Sequence, residues 1–196
     1  MADFAPIVLF VYNRPWHTLQ TLNALMKNEL ADQHVLYIYS DGPKIKAAND
    51  EVKKIEEVRK LIRTKQWCKE VYIVESETNR GLADSIINGV TEIVNKHGKI
   101  IVLEDDLITS AGFLNYMNIA LNLYKNEKNV MHISGYMFPT EKKLPETFFL
   151  VFTSCWGWGT WDRAWQSFDL SARNLLSKVK KQVKYLKGAL LGKEPI

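Results

Sequence analysis

The sequence predicts an α/β domain with a parallel or mostly parallel sheet, and three observations carry that expectation. Short apolar runs alternate with longer segments whose apolar residues recur at helical spacing. The first run, Ile7 to Tyr12, is nearly continuous in β-branched and aromatic residues, as a strand covered on both faces would be. Polar turns follow the runs at Asn13, Asp41, Asn79 and Glu104, so four strand ends would share one edge of a sheet covered by helices on both sides.

Taken in order, the first strand stops at Asn13-Arg14-Pro15, and Leu19, Leu22, Leu25 and Met26 then mark a helix that Pro15 is suited to open. Val35 to Tyr39 reads as a second strand ended by Ser40-Asp41-Gly42-Pro43. Val52, Ile55, Val58, Leu61 and Ile62 lie on one helical face, with Asn49 as the expected N-cap. A third strand over Val71–Val74 leads through a polar turn to a helix from about Leu82 to Lys96, with Gly98 as its C-terminal stop. Lys99 to Leu103 forms the fourth strand. A helix near Gly112 to Tyr124 follows, and further strands are expected near Val130–Ser134 and Phe148–Thr153.

With 196 residues, 46% of them hydrophobic, the chain can fill a sizeable core, and its composition excludes a disordered or fibrous protein. The net charge of +4 is uneven: residues 171–196 carry +6, leaving the rest near −2. This divides the chain into a body, 1–170, and a basic amphipathic helical tail, 171–196. A basic tail without a patch of base-stacking aromatics speaks against nucleic acid as a partner. It suits either a solvated helix or peripheral contact with an anionic membrane. Cys68 and Cys155 have no metal-ligand spacing and read as core thiols in a reducing compartment. The opening MADFAPIVLFVYNRP lacks the pattern of a signal peptide, so a cytoplasmic location is expected, either free or peripheral to the inner face of a membrane.

The chemistry concentrates where the fourth strand ends. Glu104-Asp105-Asp106 puts three adjacent carboxylates at the exit of a buried strand, which is costly unless a cation or hydrogen bonds compensate. Hard oxygen ligands favour Mg²⁺ or Mn²⁺ shared with substrate phosphates. The alternative is an acidic cap on the following helix. An aspartyl-nucleophile phosphatase fits less well, because Asp106 is followed two places on by Ile108 rather than a hydroxyl residue.

The run IVLEDDL, followed by SAGFLNYM and HISGYM, resembles the donor-site region of GT-A glycosyltransferases, which are Rossmann-like nucleotide-diphospho-sugar transferases. The nearest likeness is to the N-acetylglucosaminyltransferases that add GlcNAc to mannose and carry a Glu-Asp-Asp metal motif; glycosyltransferase family 2 is also similar. LFVYNRP resembles that family's first strand and turn and YSDGPK its second, so the likeness runs over roughly residues 6 to 165. It implies a UDP-sugar donor, a saccharide or lipid-linked acceptor, and Asp106 as the direct ligand of Mn²⁺ or Mg²⁺. Glu104 and Asp105 would face the ribose and sugar, Arg14 the nucleotide, and Asp41 the uracil edge. Asn13 stands where the family has an aspartate, and Tyr12 belongs to the same turn.

The residues add their own arguments. The Asp41 carboxylate is a good acceptor for the uracil imide, although Asp before Gly also suits an Asx turn. Asn79-Arg80-Gly81 opens a helix whose amides suit an anion, and Arg80 could meet a phosphate. In Ser154–Trp161, glycines and tryptophans together suit a sugar pocket. Trp158 is its expected lining residue and Trp156 and Trp161 are further candidates; core packing is the rival reading. The general base of the related inverting enzymes has no clear counterpart, only Asp162 and Asp169 as candidates, so the catalytic residue stays unassigned. The ending Gly192-Lys193-Glu194-Pro195-Ile196 reads as a truncated chain. Two further readings follow: a catalytically silent nucleotide- or glycan-binding module, and nucleotidyl transfer, which the glycine-free turn Tyr12-Asn13-Arg14-Pro15 disfavours.

Overall fold

The structure, a computed structural model, describes residues 4–190, and side chains from 4 to 181. It divides into two compact units, Met1–Trp165 and Gln166–Ile196.

The first unit is a six-stranded sheet with helices on both faces. In chain order it runs β1 (Ile7–Val11), α1 (Pro15–Met26), β2 (Val35–Ser40), α2 (Asn49–Leu61), β3 (Glu70–Glu75), α3 (Leu82–His97), β4 (Lys99–Glu104) and α4 (Phe113–Leu123). It closes with β5 (Ile133–Ser134), β6 (Trp158–Trp161) and the short α5 (Asp162–Trp165). The strand order is β3-β2-β1-β4-β6-β5. Strands β1 to β4 are mutually parallel, while β6 runs antiparallel to both β4 and β5. The fold is α/β with a mostly parallel sheet, as the alternation of apolar runs predicted.

Burial explains why the parallel strands were legible. All five residues of β1 and the first five of β4 are buried, because helices cover both of their faces. One face meets α1, α2 and α4 through Leu22, Leu25, Val58, Leu114, Met117 and Leu121. The other meets α3 through Val90, Ile93 and Val94. Here α3 lies unusually close, since a Cβ on Gly89 would stand 2.8 and 2.9 Å from the Phe10 ring.

Three local expectations need correction. Asn49 is the first residue of α2 rather than its cap; Ala48 holds the cap position, with no side-chain hydrogen bond. The apolar run Phe148–Thr153 is exposed and irregular, and the strand pairing with β4 forms instead at Trp158–Trp161. Only Cys68 is a buried thiol, its pKa pushed up to about 12 by that burial, whereas Cys155 is exposed.

The second unit holds α6 (Ala172–Leu190). Its described side chains expose Leu175, Leu176 and Val179, with Lys178, Lys180 and Lys181 interspersed among them. The side chains of Val183, Lys184, Leu186 and Lys187, and all of residues 192–196, lie outside the described residues. Among the described residues no helix is long and apolar enough to cross a membrane.

Candidate functional site

Strand β1 is flanked by β2 on one side and β4 on the other, so the chain's direction of travel across the sheet reverses there. A parallel sheet opens a crevice at such a reversal, beyond the carboxyl ends of the two strands. The β1 end contributes Tyr12, Asn13 and Arg14, and the β4 end contributes Glu104, Asp105 and Asp106.

Arg14 locks the two sides together. Its Nη2 and Nε donate to Oδ1 and Oδ2 of Asp105, the latter at 3.3 Å, and its Nη1 donates to Asp106 Oδ2 at 3.0 Å. The Asp105 side chain is 4% exposed, whereas those of Arg14 and Asp106 are each 44% exposed. Pro15 begins α1 directly after Arg14, and the Thr18 N–H and hydroxyl both donate to the Arg14 carbonyl, at 3.0 and 2.9 Å. From the next turn of α1, the buried Thr21 hydroxyl donates to the Asp105 carbonyl at 2.9 Å. Thr21 could have been found as a hydroxyl on the apolar face of a predicted helix.

The site is short of positive charge. Burial raises the pKa of Asp105, partly opposed by Arg14. Burial also raises that of Glu104, and the neighbouring Asp106 and Asp105 add to the rise. Burial would lower the pKa of Arg14, but the two aspartates outweigh it and the net shift is upward. One guanidinium thus faces three carboxylates. Glu104, in register with Phe10 on the face that α3 covers, has no side-chain hydrogen bond among the described residues, its carbonyl accepting from the Leu107 N–H at 3.3 Å. Asp106 Oδ1 has none either.

That donor set bears on the metal. Among the described residues no group of three His, Cys, Asp or Glu is arranged to hold an ion, and Asp105 is spent on Arg14. The arrangement fits an ion held by one carboxylate and completed by phosphate and water, as Mg²⁺ and Mn²⁺ accept. It does not fit an all-protein cage.

At the ends of β2 and β3, Asp41 closes a loop clasp. Its Oδ1 accepts from the N–H of Gly42 and of Arg80, both at 2.9 Å. Its Oδ2 accepts from Asn79 Nδ2 at 3.0 Å and from the Gly81 N–H at 3.1 Å. Four bonds use all four lone-pair positions of a carboxylate, so the uracil contact expected of Asp41 has no free acceptor. The same bonds place Asn79 and Gly81 in the clasp rather than at a phosphate. The Arg80 backbone joins them while its side chain stays exposed. Gly81 takes a φ of 82°, which a residue with a Cβ rarely adopts.

Other expected residues lie elsewhere. Tyr12 points its hydroxyl at Glu51 of α2, and burial with that carboxylate pushes the phenol up to about 12. Asn13 is half-buried beside Arg14, with no side-chain hydrogen bond among the described residues. Trp158 is partly buried against the core and stacks on His132 and Trp165, with centroids 5.4 and 6.0 Å away. Trp161 is buried, and its indole N–H donates to the Leu121 carbonyl. Asp162 lies away from the carboxyl ends of the strands, its N–H meeting the Gly98 carbonyl at the opposite, amino end of β4. Asp169 belongs to the second unit, where its carboxylate takes the Ser171 N–H and Lys178.

A sequence model of the nucleotidyl transferase family matches residues 8–151. Among solved structures, S. aureus TarS is similar with 14% identity and a TM-score of 0.44, over 62% of this chain and 20% of that one. A second structure, S. aureus TarS 1-349, shows 13% identity and a TM-score of 0.44, over 62% of this chain and 33% of that one. This chain therefore spans between a fifth and a third of those structures. No curated protein matches it. The family match begins inside β1 and takes in the crevice, the clasp and most of the first unit, well over half of the sequence: the chain belongs to the nucleotidyl transferase family.

Proposed function

We propose that this chain is a nucleotide-sugar-dependent glycosyltransferase that holds a UDP-sugar across the carboxyl ends of β1 and β4. The observation that carries the reading is the charge-deficient crevice, where Arg14 engages Asp105 and one oxygen of Asp106 and leaves Glu104 and Asp106 Oδ1 unused. The Glu-Asp-Asp motif, in its order with the first two turns, supports GT-A chemistry of the N-acetylglucosaminyltransferase kind.

In this reading Asp106 holds Mn²⁺ or Mg²⁺. When bound, the ion neutralises charge on the departing diphosphate. Arg14 orients both aspartates, Asp105 acts through Arg14 as a positioning residue, and Glu104 accepts hydrogen bonds from donor hydroxyls. Asn13 remains free to meet the nucleotide, and the Arg80 side chain is free to reach a phosphate. The acceptor is a saccharide or a lipid-linked glycan. For the latter, the apolar and lysine-rich sides of α6 suit an anionic membrane surface.

Nucleotidyl transfer is the second reading, favoured by the family match. The glycine-free first turn, whose arginine is bound to acids, counts against it because it builds no backbone cradle for a triphosphate. A coupled assay separates the two. The full chain is incubated with Mn²⁺ and a panel of UDP-sugars, and in parallel with UTP and sugar 1-phosphates. Release of UDP from a UDP-sugar supports glycosyl transfer. Release of pyrophosphate from UTP with no release of UDP would replace it, and binding without either product would mark a silent module.

A further inference from the structure

Helix α6 is amphipathic, and the charge on its polar side has one sign. With about 100° between successive helical residues, positions 175, 176, 179, 183, 186 and 190 fall within a sector about 100° wide. Every one of them is leucine or valine. The rest of the circumference holds Arg173, Lys178, Lys180, Lys181, Lys184 and Lys187, and no aspartate or glutamate lies between 172 and 190. Helix α2 gives the contrast within the same chain. It buries Ile55 and Val58 and sets Asp50, Glu51, Glu56 and Glu57 against Lys53, Lys54, Arg59 and Lys60. A helix whose polar side meets only water gains from such mixing, because unlike charges one turn apart attract. In α6 the pairs Lys178–Lys181 and Lys180–Lys184 stand one turn apart with like charge, a repulsion that an outside negative charge relieves.

The helix also starts on its own local contacts. The Ser171 hydroxyl accepts from the Asn174 N–H at 3.2 Å, as an N-cap does, and the Ser171 N–H donates to Asp169 Oδ1 at 2.9 Å. Lys178 reaches back to Asp169 Oδ2 at 3.3 Å. In the turns that follow, Leu175, Leu176 and Val179 are 44%, 54% and 52% exposed, so the apolar sector is uncovered there. Lys180 and Lys181 are exposed as well.

We propose that α6 docks flat in the headgroup region of an anionic lipid bilayer, its leucine–valine sector against the acyl chains and its basic side against the lipid phosphates. The docking surface stands whether or not the crevice transfers a sugar. A bilayer of negative charge is the one occupant that satisfies both sides of the helix together, and long lysine stems let the ammonium groups beside the sector reach the phosphates. Nucleic acid would meet the basic side and leave the leucines in water. A second copy of α6 would cover the leucines but bring two lysine rows together. A groove on an acidic protein draws its affinity from large aromatic anchors, and the sector here has none.

The test floats the full chain with vesicles of phosphatidylcholine alone and of phosphatidylcholine mixed with phosphatidylglycerol, each at low and high salt. Binding is expected on the anionic vesicles only and should fall as salt rises. Lys180→Gln and Lys184→Gln should each weaken it about fivefold. Val179→Glu should abolish it, although glutamate is the better helix former and leaves the helix intact, whereas Val179→Leu should keep or tighten it. Thermal unfolding without vesicles should be the same in all of these chains. Equal binding to both kinds of vesicle, binding to neither, or binding that survives Val179→Glu overturns the proposal. A drop in the thermal stability of Val179→Glu also overturns it, because the sector would then pack within the chain. So does a dimer in sedimentation velocity that Val179→Glu dissolves, or duplex DNA that removes the parent chain from the vesicles and binds Val179→Glu equally well.

Discussion

Single side chains decide several questions that a motif leaves open, and His34 shows how. It is fully buried, with Nδ1 2.7 Å from the Leu30 carbonyl and Nε2 2.8 Å from Asn118 Nδ2. The first contact needs a proton on Nδ1 and the second needs a lone pair on Nε2, so only the neutral ring fits both. Asn118 is committed as well, donating to Leu114 and accepting from the Ala5 N–H. Burial lowers the His34 pKa below its ordinary 6.5. A base with a depressed folded-state pKa contributes stability that is present above pH 6.5 and is lost as pH falls through the lower folded value. Urea midpoints should therefore drop on acidification below 6.5. His97 and His132 are shifted the same way, so the His34 share is the difference between the parent and His34→Gln. That variant should be weaker at neutral pH yet lose less on acidification. Asp41 gives a second residue-scale expectation. Removing an acceptor of four hydrogen bonds by Asp41→Ala should cost about 2–4 kcal/mol in urea unfolding. A loss near zero, accompanied by failure to bind UDP, would restore the uracil contact in place of the clasp.

At the scale of elements, close approach can outweigh propensity. Gly89 sits in the middle of α3, where alanine would ordinarily gain about 1 kcal/mol of helix propensity. The Phe10 ring, itself buried in β1, leaves no room for the added methyl, and overpacking a core costs about 1–3 kcal/mol. Gly89→Ala should thus be neutral to destabilising by about 2 kcal/mol, and a gain in thermal stability would mean that α3 can lift from the sheet. The same physics explains which elements were legible in advance. Strands β1, β2 and β4 are dominated by buried apolar residues and α1 to α4 carry clear apolar faces, so period and burial agreed. The Phe148–Thr153 run misled because apolar composition signals a strand only where something covers it, and nothing in the sequence says that this segment stays exposed. Strand β6 was missed because four residues with two tryptophans and a glycine lack any period. At the site, the carboxylate triplet and Arg14 were visible as charges next to an apolar run. That Trp158 packs against His132 and Trp165 while Trp156 stays exposed depends on the register of β6 against β4, which no local pattern fixes.

Across the whole molecule, the topological reversal at β1 and the distribution of charge converge on one place. The body outside the basic tail is close to neutral, yet three of its acids stand together opposite a single arginine. Folding tolerates this because Arg14 satisfies the one deeply buried member, Asp105, and leaves the more exposed Asp106 half unpaired. A ligand that brings positive charge to Asp106 should therefore stabilise the folded state, and it should do so more strongly when a diphosphate completes its coordination. A ligand bound only by the folded chain adds RT ln(1 + [L]/Kd), about 2.7 kcal/mol at a hundredfold excess over Kd. Thermal unfolding should accordingly shift upward with Mn²⁺ and UDP together, and much less with either alone. In Asp106→Asn the shared increment should vanish while the melting temperature without ligand stays the same or rises, because a repulsive charge has been removed from beside Glu104 and Asp105. Equal stabilisation of parent and variant by the pair would move the ion away from Asp106. A fall in the variant's own stability would mean that its contact with Arg14 matters more to the fold than the repulsion it relieves.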